Sequence, residues 1–168
     1  AAIVVTPHAG KSVKRAFINN NTIVTSGVGV IFGAAAKIDD LVAGNLIFAA
    51  TPVSGIVVNS AANVTGPTTA ASQYLKNPVL KLPGVDLFPL GGAVHGETID
   101  LSKVASDLDA MLDFNGQPKG AGFFRGAYAD DTVNCGWTPV ADLKLLGTSC
   151  ASQGDAGSNV DADAGREV

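Results

Sequence analysis

The sequence predicts an all-β fold, and three features of its composition and patterning lead to that prediction. Charged residues are scarce, at 15% of the 168 residues, whereas an average domain has about 25%. Glycine is frequent, at 20 residues, well above the usual level of about 7%. The apolar residues fall in short β-branched runs between glycine and asparagine, as strands do. A disordered chain and a helical bundle are both disfavoured, because the first needs low hydrophobicity and the second needs many charged residues.

The predicted strands are short, most of them three to five residues long. They cover residues 3–5, 16–18, 22–24, 28–32, 46–49, 56–58, 79–80 and 85–88. None lies next to a helical pattern of adequate length, so the parallel sheet of a βαβ protein is disfavoured.

An internal repeat indicates how these strands are arranged. The tetrapeptide at 21–24 (Asn-Thr-Ile-Val) matches 45–48 (Asn-Leu-Ile-Phe) at an offset of 24 residues, and 26–28 (Ser-Gly-Val) matches 54–56 (Ser-Gly-Ile) at an offset of 28. Repeats of this length suit the coils of a β-solenoid, in which each coil covers the inward side chains of the next. The asparagines would stand at corners, where they tolerate positive φ and can form a ladder of side-chain amides. An antiparallel sandwich with coincidental spacing is the alternative.

The remaining segments are less regular. Residues 59–84 are predicted to form a loop that leaves the repeats and returns. Residues 101–112 predict one short helix with Ser102 as its N-cap. Its apolar face would comprise Val104, Leu108, Met111 and Leu112.

The charge distribution limits the partners of the chain. The net charge is −4, and the last 18 residues contribute −3 of it. Since there is no basic stripe to bind a phosphate backbone, nucleic acid is not an expected partner. The cluster of Lys11, Lys14 and Arg15 is interpreted as a solvated edge. No run approaches the roughly 18 apolar residues of a membrane span. Because the chain starts inside a predicted strand, we expect a processed or truncated N-terminus.

Two cysteines, Cys135 and Cys150, enclose a short loop. We predict that they form a disulfide, which implies an oxidising compartment, and two free thiols are the alternative. Trp137 is expected to pack on this disulfide. Zinc is not expected, because two cysteines supply only half of a site and both histidines are distant in sequence.

The most specific motif lies at 113–119 (Asp-Phe-Asn-Gly-Gln-Pro-Lys), followed by Gly-Ala-Tyr at 126–128. This run resembles the C-terminal signature of secreted bacterial right-handed parallel β-helix proteins, the pectate-lyase-like proteins. The matching positions, which the resemblance implies to be structural, are Asp113, Gly116, Pro118, Gly126 and Tyr128. Segments at 74–78, 86–90 and 99–100 are similar to the last coils of such proteins. Arg125 and Ala129 depart from the signature, which has acidic residues there.

The resemblance implies a right-handed parallel β-helix of about four to five coils, closed by a terminal cap and a disulfide-stapled tail. Coils and cap would occupy residues 1–128, the tail 129–150, and a flexible Asp/Ala/Gly-rich segment 151–168. Family members usually have many more coils, so the chain resembles the C-terminal portion of such a protein. A β-helix that begins at Ile3 leaves its first coil uncovered. We therefore expect another β-helical chain, or a second copy, to cover that end.

Candidate catalytic carboxylates are few. Lyases of this family hold calcium with carboxylates on an outer sheet and use a basic residue as proton acceptor. The nearest match is Asp39 and Asp40 with Lys37, but no second carboxylate pair lies one coil away, and we interpret this segment as a solvated loop. The pair at 130–131 is interpreted as structural, and the acidic segment 159–165 departs from the EF-hand pattern.

Other motifs are incomplete. The Gly-Lys-Ser at 10–12 lacks the first P-loop glycine, because Val5 occupies that position. His8 and His95 have no Gly-x-Ser-x-Gly nucleophile to pair with, and His95, near Glu97, is interpreted as a turn residue. The sequence therefore predicts no catalytic residue, no cofactor and no metal site.

These observations favour a non-catalytic structural or interaction module, secreted or at the cell surface. We expect it to stack on other β-helical chains, and polysaccharide is a further expected partner. The alternative is the C-terminal part of a polysaccharide lyase or hydrolase whose active coils lie elsewhere. A small binding module acting alone is a third class, but it leaves the uncovered first coil unexplained.

Overall fold

The structure, a computed structural model, describes residues 1–56, 59–120, 123–129, 131–134 and 136–141, with Leu108 described by its backbone alone. In this part of the chain, strands form two parallel sheets and one antiparallel hairpin. The strands are β1 (Ile3–Val5), β2 (Arg15–Asn19), β3 (Thr22–Phe32), β4 (Asp39–Ala43), β5 (Leu46–Gly55), β6 (Ser60–Ala61), β7 (Val64–Gly66), β8 (Leu75–Asn77) and β9 (Asp86–Pro89). The prediction of an all-β fold with parallel strands is confirmed.

The chain alternates between the two parallel sheets. The first sheet has the order β1-β3-β5-β7, and the second has the order β2-β4-β6. Each strand from β1 to β5 therefore pairs with the strand two places further along the chain. The antiparallel sandwich considered above is wrong for this region.

The strand register agrees with one of the two sequence repeats and not with the other. Thr22 pairs with Leu46, which reproduces the offset of 24 residues. A bulge after Thr25 adds an unpaired residue to β3, and beyond it Phe32 pairs with Gly55 at an offset of 23. Ser54 pairs with Ile31, so the predicted Ser-Gly repeat at an offset of 28 does not correspond to a structural pairing.

Three apolar clusters organise the packing. In the first, side chains from both parallel sheets pack against each other, with Val30, Val42 and Ile47 fully buried. Neighbouring residues in a strand point to opposite faces, so the other faces of the sheets carry the remaining clusters. One joins Leu41 and Ala43 to Ile99, Leu101 and Val104, and the other joins Leu46 and Phe48 to Ala71, Leu75 and Val94. The second half of the chain thus covers the outer face of each parallel sheet.

The segment after Gly66 does not rejoin either parallel sheet within the described residues. It begins with the 3-10 helix Thr68–Gln73, continues through the hairpin of β8 and β9, and then folds over the outer faces. The predicted return of the 59–84 loop to the repeats is therefore wrong. Over the described ranges the chain passes through both sheets three times and enters the first a fourth time at β7, which is fewer passes than the four to five expected.

The predicted helix at 101–112 is replaced by two 3-10 helices, Ser102–Val104 and Leu108–Met111, each preceded by an aspartate that bonds to its first turn. The Asp100 side chain accepts a hydrogen bond from the Ser102 N–H at 2.9 Å, and the Asp107 side chain accepts one from the Asp109 N–H at 3.2 Å. Such local bonds favour turns over a continuous helix. The single helix with Ser102 as its N-cap is wrong.

Some strand predictions also differ from the structure. Residues 79–80 are not in a strand, and both side chains are exposed. Of the predicted run 56–58, only Ile56 is described, and it follows β5. Across the described ranges, no helix is long and apolar enough to cross a membrane.

Candidate functional site

A ladder of three asparagines forms one corner of the parallel sheets. The Oδ1 of Asn45 accepts hydrogen bonds from the backbone N–H of Asn21 at 2.9 Å and from its Nδ2 at 3.0 Å. The Oδ1 of Asn63 accepts the corresponding two bonds from Asn45 at 3.0 and 2.9 Å. Asn45 is completely buried. The ladder predicted from the asparagine repeat is therefore present, and Asn63 extends it by one step.

The chain turns this corner one residue before each ladder asparagine. Asn20, Gly44 and Ala62 have φ values of 58°, 65° and 54°. This is the left-handed region, which glycine adopts readily, asparagine tolerates and alanine disfavours. The positive φ expected of the repeated asparagines thus falls on the preceding residue.

The two ends of the parallel sheets differ in chemistry. The strand register stacks Ile47 between Ile23 and Thr65 in the first sheet. In the second sheet it stacks Val42 between Ile18 and Ser60. At the β6/β7 end, the positions that face the core in neighbouring strands are therefore occupied by exposed hydroxyl side chains.

The opposite end is formed by β1 and β2, each of which pairs with a single strand in the described part of the chain. Ile3 and Val5 lie beside Val30 and Phe32 and pack against the core between the sheets. Val4, which points away from that core, is 56% exposed. We call the free edges of β1 and β2 the open end. A strand edge with unpaired backbone groups is a template for another strand, so the open end is the candidate interaction surface.

The residues of the predicted terminal motif lie together around the Asp113 carboxylate. Its Oδ1 accepts hydrogen bonds from the N–H groups of Asn115 at 2.8 Å and Gln117 at 2.7 Å, and its Oδ2 accepts one from Ala129 at 3.1 Å. Gly116 has a φ of 77° in this turn. The carboxylate holds two segments of backbone together.

Lys119 also holds the two segments of the motif together. It is only 4% exposed, and its Nζ donates hydrogen bonds to the carbonyls of Gly126 and Tyr128, both at 2.8 Å. Burial lowers the pKa of Lys119 to about 8, against the opposing effect of the Asp113 charge. Burial also raises the pKa of Tyr128 to about 12, with smaller contributions from the charges of Asp86 and Asp113.

The motif is docked onto the ladder corner. The Gly126 N–H donates to the Gly44 carbonyl at 2.7 Å, and the Ala127 N–H donates to Thr22 Oγ1 at 2.9 Å. Gly126 has a φ of 83°, and a Cβ there would lie 2.6 Å from Thr22 Oγ1. Pro118 forms an isolated β-bridge within the motif. These contacts tie the second half of the chain to the parallel sheets.

Asp39 and Asp40 begin strand β4, so the prediction that they lie in a loop is wrong. Asp40 is buried, and its Oδ1 accepts a hydrogen bond from the Asn59 N–H at 3.0 Å. Asp39 Oδ1 lies 2.7 Å from the Nζ of Lys103. The basic partner of Asp39 is therefore Lys103 and not the adjacent Lys37.

A cleft of about 300 Å³ lies beside these carboxylates. It is lined by Leu41, Asn59, Ser60, Ala61, Asp100 and Lys103. The backbone hydrogen bond from Ser102 is the main cause that lowers the pKa of Asp100, so this carboxyl is ionised at neutral pH and is unsuited to act as a general acid. The cleft is lined by both apolar and polar side chains.

The histidines are separated from each other. His95 Nε2 lies 3.0 Å from Asp131 Oδ2, and its ring packs edge-on against Phe124 at 4.5 Å. Glu97 does not pair with His95 through an ion pair, and its carbonyl accepts a hydrogen bond from Arg125 at 2.7 Å. His8 lies in an exposed turn. Among the described residues, no group of three or more His, Cys, Asp or Glu is placed to hold a metal ion.

Several predictions concern residues outside the described ranges. These include the disulfide between Cys135 and Cys150, the side chain of Asp130, and the acidic segment 151–168. Trp137 is described, and its ring lies 5.8 Å from that of Phe114.

Sequence reasoning missed Asn63 and Lys103. The step from Asn45 to Asn63 is only 18 residues, which breaks the longer repeat. Lys103 is 64 residues from its partner Asp39, so no local spacing connects them. An Asn-Val-Thr at 63–65 that parallels Asn-Thr-Ile at 21–23 is the one signal that could have found Asn63.

Comparison of the chain with protein-family models, with curated proteins and with solved structures finds no match. The resemblance to pectate-lyase-like proteins therefore stays a prediction from the sequence.

Proposed function

We propose that the chain is a non-catalytic structural module, secreted or at the cell surface, whose open end stacks on another β-helical chain. In this proposal the two parallel sheets are the last coils of a right-handed, pectate-lyase-like β-helix, and residues 67–129 are its terminal cap. One observation carries the proposal, namely the unlike chemistry of the two ends. The stack finishes in Ser60 and Thr65 at one end, and in aliphatic side chains on the edge strands β1 and β2 at the other.

This difference has a direct physical consequence. Terminal repeats with a polar outer surface allow a solenoid to remain in solution without a partner, and the β6/β7 end meets that requirement. The open end does not, because its side chains are aliphatic. Another strand laid against either end would gain backbone hydrogen bonds worth about 1 kcal/mol each, since β6 and β7 also pair with one strand each. Only at the open end would it also bury aliphatic surface, worth about 25 cal/mol per Å², so stacking is more favourable there.

The covered outer faces also support a non-catalytic role. The family resemblance would place a substrate on an outer sheet face. Here the clusters around Leu101 and around Leu75 occupy the outer faces of the second and first sheets. In the described part of the chain, the open end and the cleft beside Asp39 stay accessible.

The cleft favours a second candidate, the C-terminal part of a polysaccharide lyase or hydrolase. It gathers Asp100 and Lys103 beside Asp39, which is the mixture of acidic and basic groups that such chemistry uses. Lys103 already donates to Asp39, however, and the lowered pKa of Asp100 suits it to accept hydrogen bonds from sugar hydroxyls. Contact with polysaccharide thus fits the cleft better than cleavage. Turnover of any polysaccharide by the chain alone, lost in Asp100→Asn, would establish the enzymatic alternative.

The proposal is tested by sedimentation of the full chain over a range of concentrations at about 1 M salt, where charges are screened beyond about 3 Å. We expect the mass to rise above the 16.9 kDa of one chain as open ends associate. Val4→Lys places a charge on the strand edge and should restore the monomer. Leu80→Lys is the matched control, because Leu80 is equally exposed at 56% but belongs to no strand.

A single species of 16.9 kDa at every concentration would overturn the proposal. Equal loss of association in both lysine variants would also do so, because it would indicate general surface adhesion. Material isolated under native, non-reducing conditions should contain a second chain that is released on denaturation.

A further inference from the structure

Basic and acidic residues are segregated along the chain. Residues 1–38 contain four basic residues, Lys11, Lys14, Arg15 and Lys37, and no Asp or Glu. Since the whole chain has a net charge of −4, the remainder carries −8. A positively charged first segment is thus joined to an acidic body.

The fold gathers these basic residues at the open end. Lys11 and Lys14 lie in the connection from β1 to β2, and Arg15 is the first residue of β2. The backbone N–H of Lys37 donates to the Val13 carbonyl at 3.0 Å, which places Lys37 beside that connection. All four side chains are exposed, and none forms an ion pair within the described residues. We call them the basic corner.

We infer that the open end binds a β-helical chain whose facing coil carries acidic residues opposite the basic corner, in preference to a second copy of this chain. The inference rests on the proposed stacking function and names the chemistry of the partner. It follows from comparing the ways in which two copies could meet, given that an interface disfavours like charges and favours opposite ones.

At low salt, neither arrangement of two copies satisfies the open end. If two open ends met, the basic corner of one copy would approach the basic corner of the other, which costs energy at low salt. If the open end met the opposite end of a second copy, the column that begins with Ile18 would meet Ser60, and the column that begins with Ile23 would meet Thr65, so aliphatic side chains would face hydroxyls. A partner with an aliphatic coil and an acidic corner avoids both mismatches.

A charge-reversed copy of the chain serves as the probe. Lys11→Glu with Lys14→Glu gives the open end an acidic corner and leaves strands β1 and β2 unchanged. We expect an equimolar mixture of the wild type and this variant to form a 1:1 heterodimer at 20 mM salt, at least tenfold tighter than either homodimer. Raising the salt to 200 mM should weaken the heterodimer tenfold or more, because opposite charges are screened.

Two controls make the result specific. Lys76→Glu with Lys81→Glu reverses the same number of charges away from the open end and should give no heterodimer. Ile3→Thr with Val5→Thr keeps the basic corner but gives the open end hydroxyl side chains, as Thr65 does at the other end. Circular dichroism should verify that each variant folds.

The outcomes separate this inference from the proposed function. If the wild type associates at 1 M salt but the charge-reversed copy shows no preference for it at 20 mM, the partner chemistry is wrong and the stacking function stands. A heterodimer that survives Ile3→Thr with Val5→Thr would mean that the basic corner binds polyanions in general, and the inference would be overturned. Absence of association at both salt concentrations would overturn both.

Discussion

Asn45 Oδ1 accepts two hydrogen bonds from Asn21, at 2.9 and 3.0 Å, while the Nδ2 of Asn45 donates to the carbonyls of Ile18 and Ala43 at 2.9 and 3.1 Å. One buried amide therefore joins successive passes of the chain and both parallel sheets. Because its polar atoms are all satisfied in the absence of water, the amide stabilises this one register over others.

Replacing Asn45 with alanine should be among the most destabilising polar substitutions in the described chain. It removes the acceptor of two N–H groups of Asn21 and one donor to each of the carbonyls of Ile18 and Ala43, at about 1 to 3 kcal/mol for each buried group that is left unsatisfied. We expect the free energy of unfolding to fall by about 3 kcal/mol or more in urea denaturation. Asn77→Ala is the control, because exposed Asn77 makes one side-chain bond, to the Gly84 carbonyl. A loss no larger than that of Asn77→Ala would show that the ladder does not stabilise the fold.

Ala62 occupies a corner position that disfavours its side chain. Its φ of 54° is left-handed, which costs a residue with a Cβ about 1 kcal/mol. Ala62→Gly should therefore raise the free energy of unfolding by a few tenths to about 1 kcal/mol. The adjacent Ala61→Gly, in strand β6, should lower it by about 0.5 to 1 kcal/mol. Thermal unfolding of the two variants should move in opposite directions, and the same sign in both would contradict the corner geometry.

Alanine substitutions at Gly126 and Gly116 distinguish the cost of steric crowding from the cost of a left-handed backbone conformation. Both have left-handed φ, at 83° and 77°. A Cβ at Gly126 would lie 2.7 Å from a methyl carbon of Leu46, whereas one at Gly116 would meet nothing within 4 Å. Gly116→Ala should cost about 1 kcal/mol, and Gly126→Ala should cost a further 1 to 3 kcal/mol through overpacking. Equal losses in denaturant unfolding would mean that the motif is not docked on the ladder corner as described.

The sequence was informative where a signal is local and repeated. The offset of 24 residues between the asparagine tetrapeptides predicted the parallel pairing of β3 with β5, because in-register strands repeat the same inward and outward pattern. Strand β4 escaped prediction since it opens with Asp39 and Asp40, residues that are depleted in strands. Asp40 is accommodated there through its bond with Asn59, a contact that strand propensity does not include.

The candidate sites were predictable in different degrees. Asp113 and Gly126 could be named because their motif is contiguous in sequence. The open end could be anticipated from the aliphatic run at 3–5. The covering of both outer faces could not, since it depends on Leu101 and Leu75 packing against strands far away in sequence. The same holds for the ion pair of Asp39 with Lys103.

Lys119 and Tyr128 should give the stability of the chain an unusual alkaline profile. The pKa of Lys119 is about 8 in the folded chain and 10.5 in the unfolded chain. Between these values the unfolded chain binds more protons, so stability rises with pH. The pKa of Tyr128 is about 12 when folded and 10.0 when unfolded, so above pH 10 the folded chain binds more protons and stability falls. Together the two groups give the free energy of unfolding a maximum near pH 10.

Unfolding in urea from pH 7 to 11 measures this profile. Lys119→Met should remove the rise in the free energy of unfolding above pH 8, which amounts to at most about 3 kcal/mol. Tyr128→Phe should reduce the fall in the free energy of unfolding above pH 10. Lys76→Met is the control for the loss of a lysine, because Lys76 is exposed. A rise that persists in Lys119→Met would mean that Lys119 keeps its proton through this range. Its two bonds to the carbonyls of Gly126 and Tyr128 would then outweigh the effect of burial.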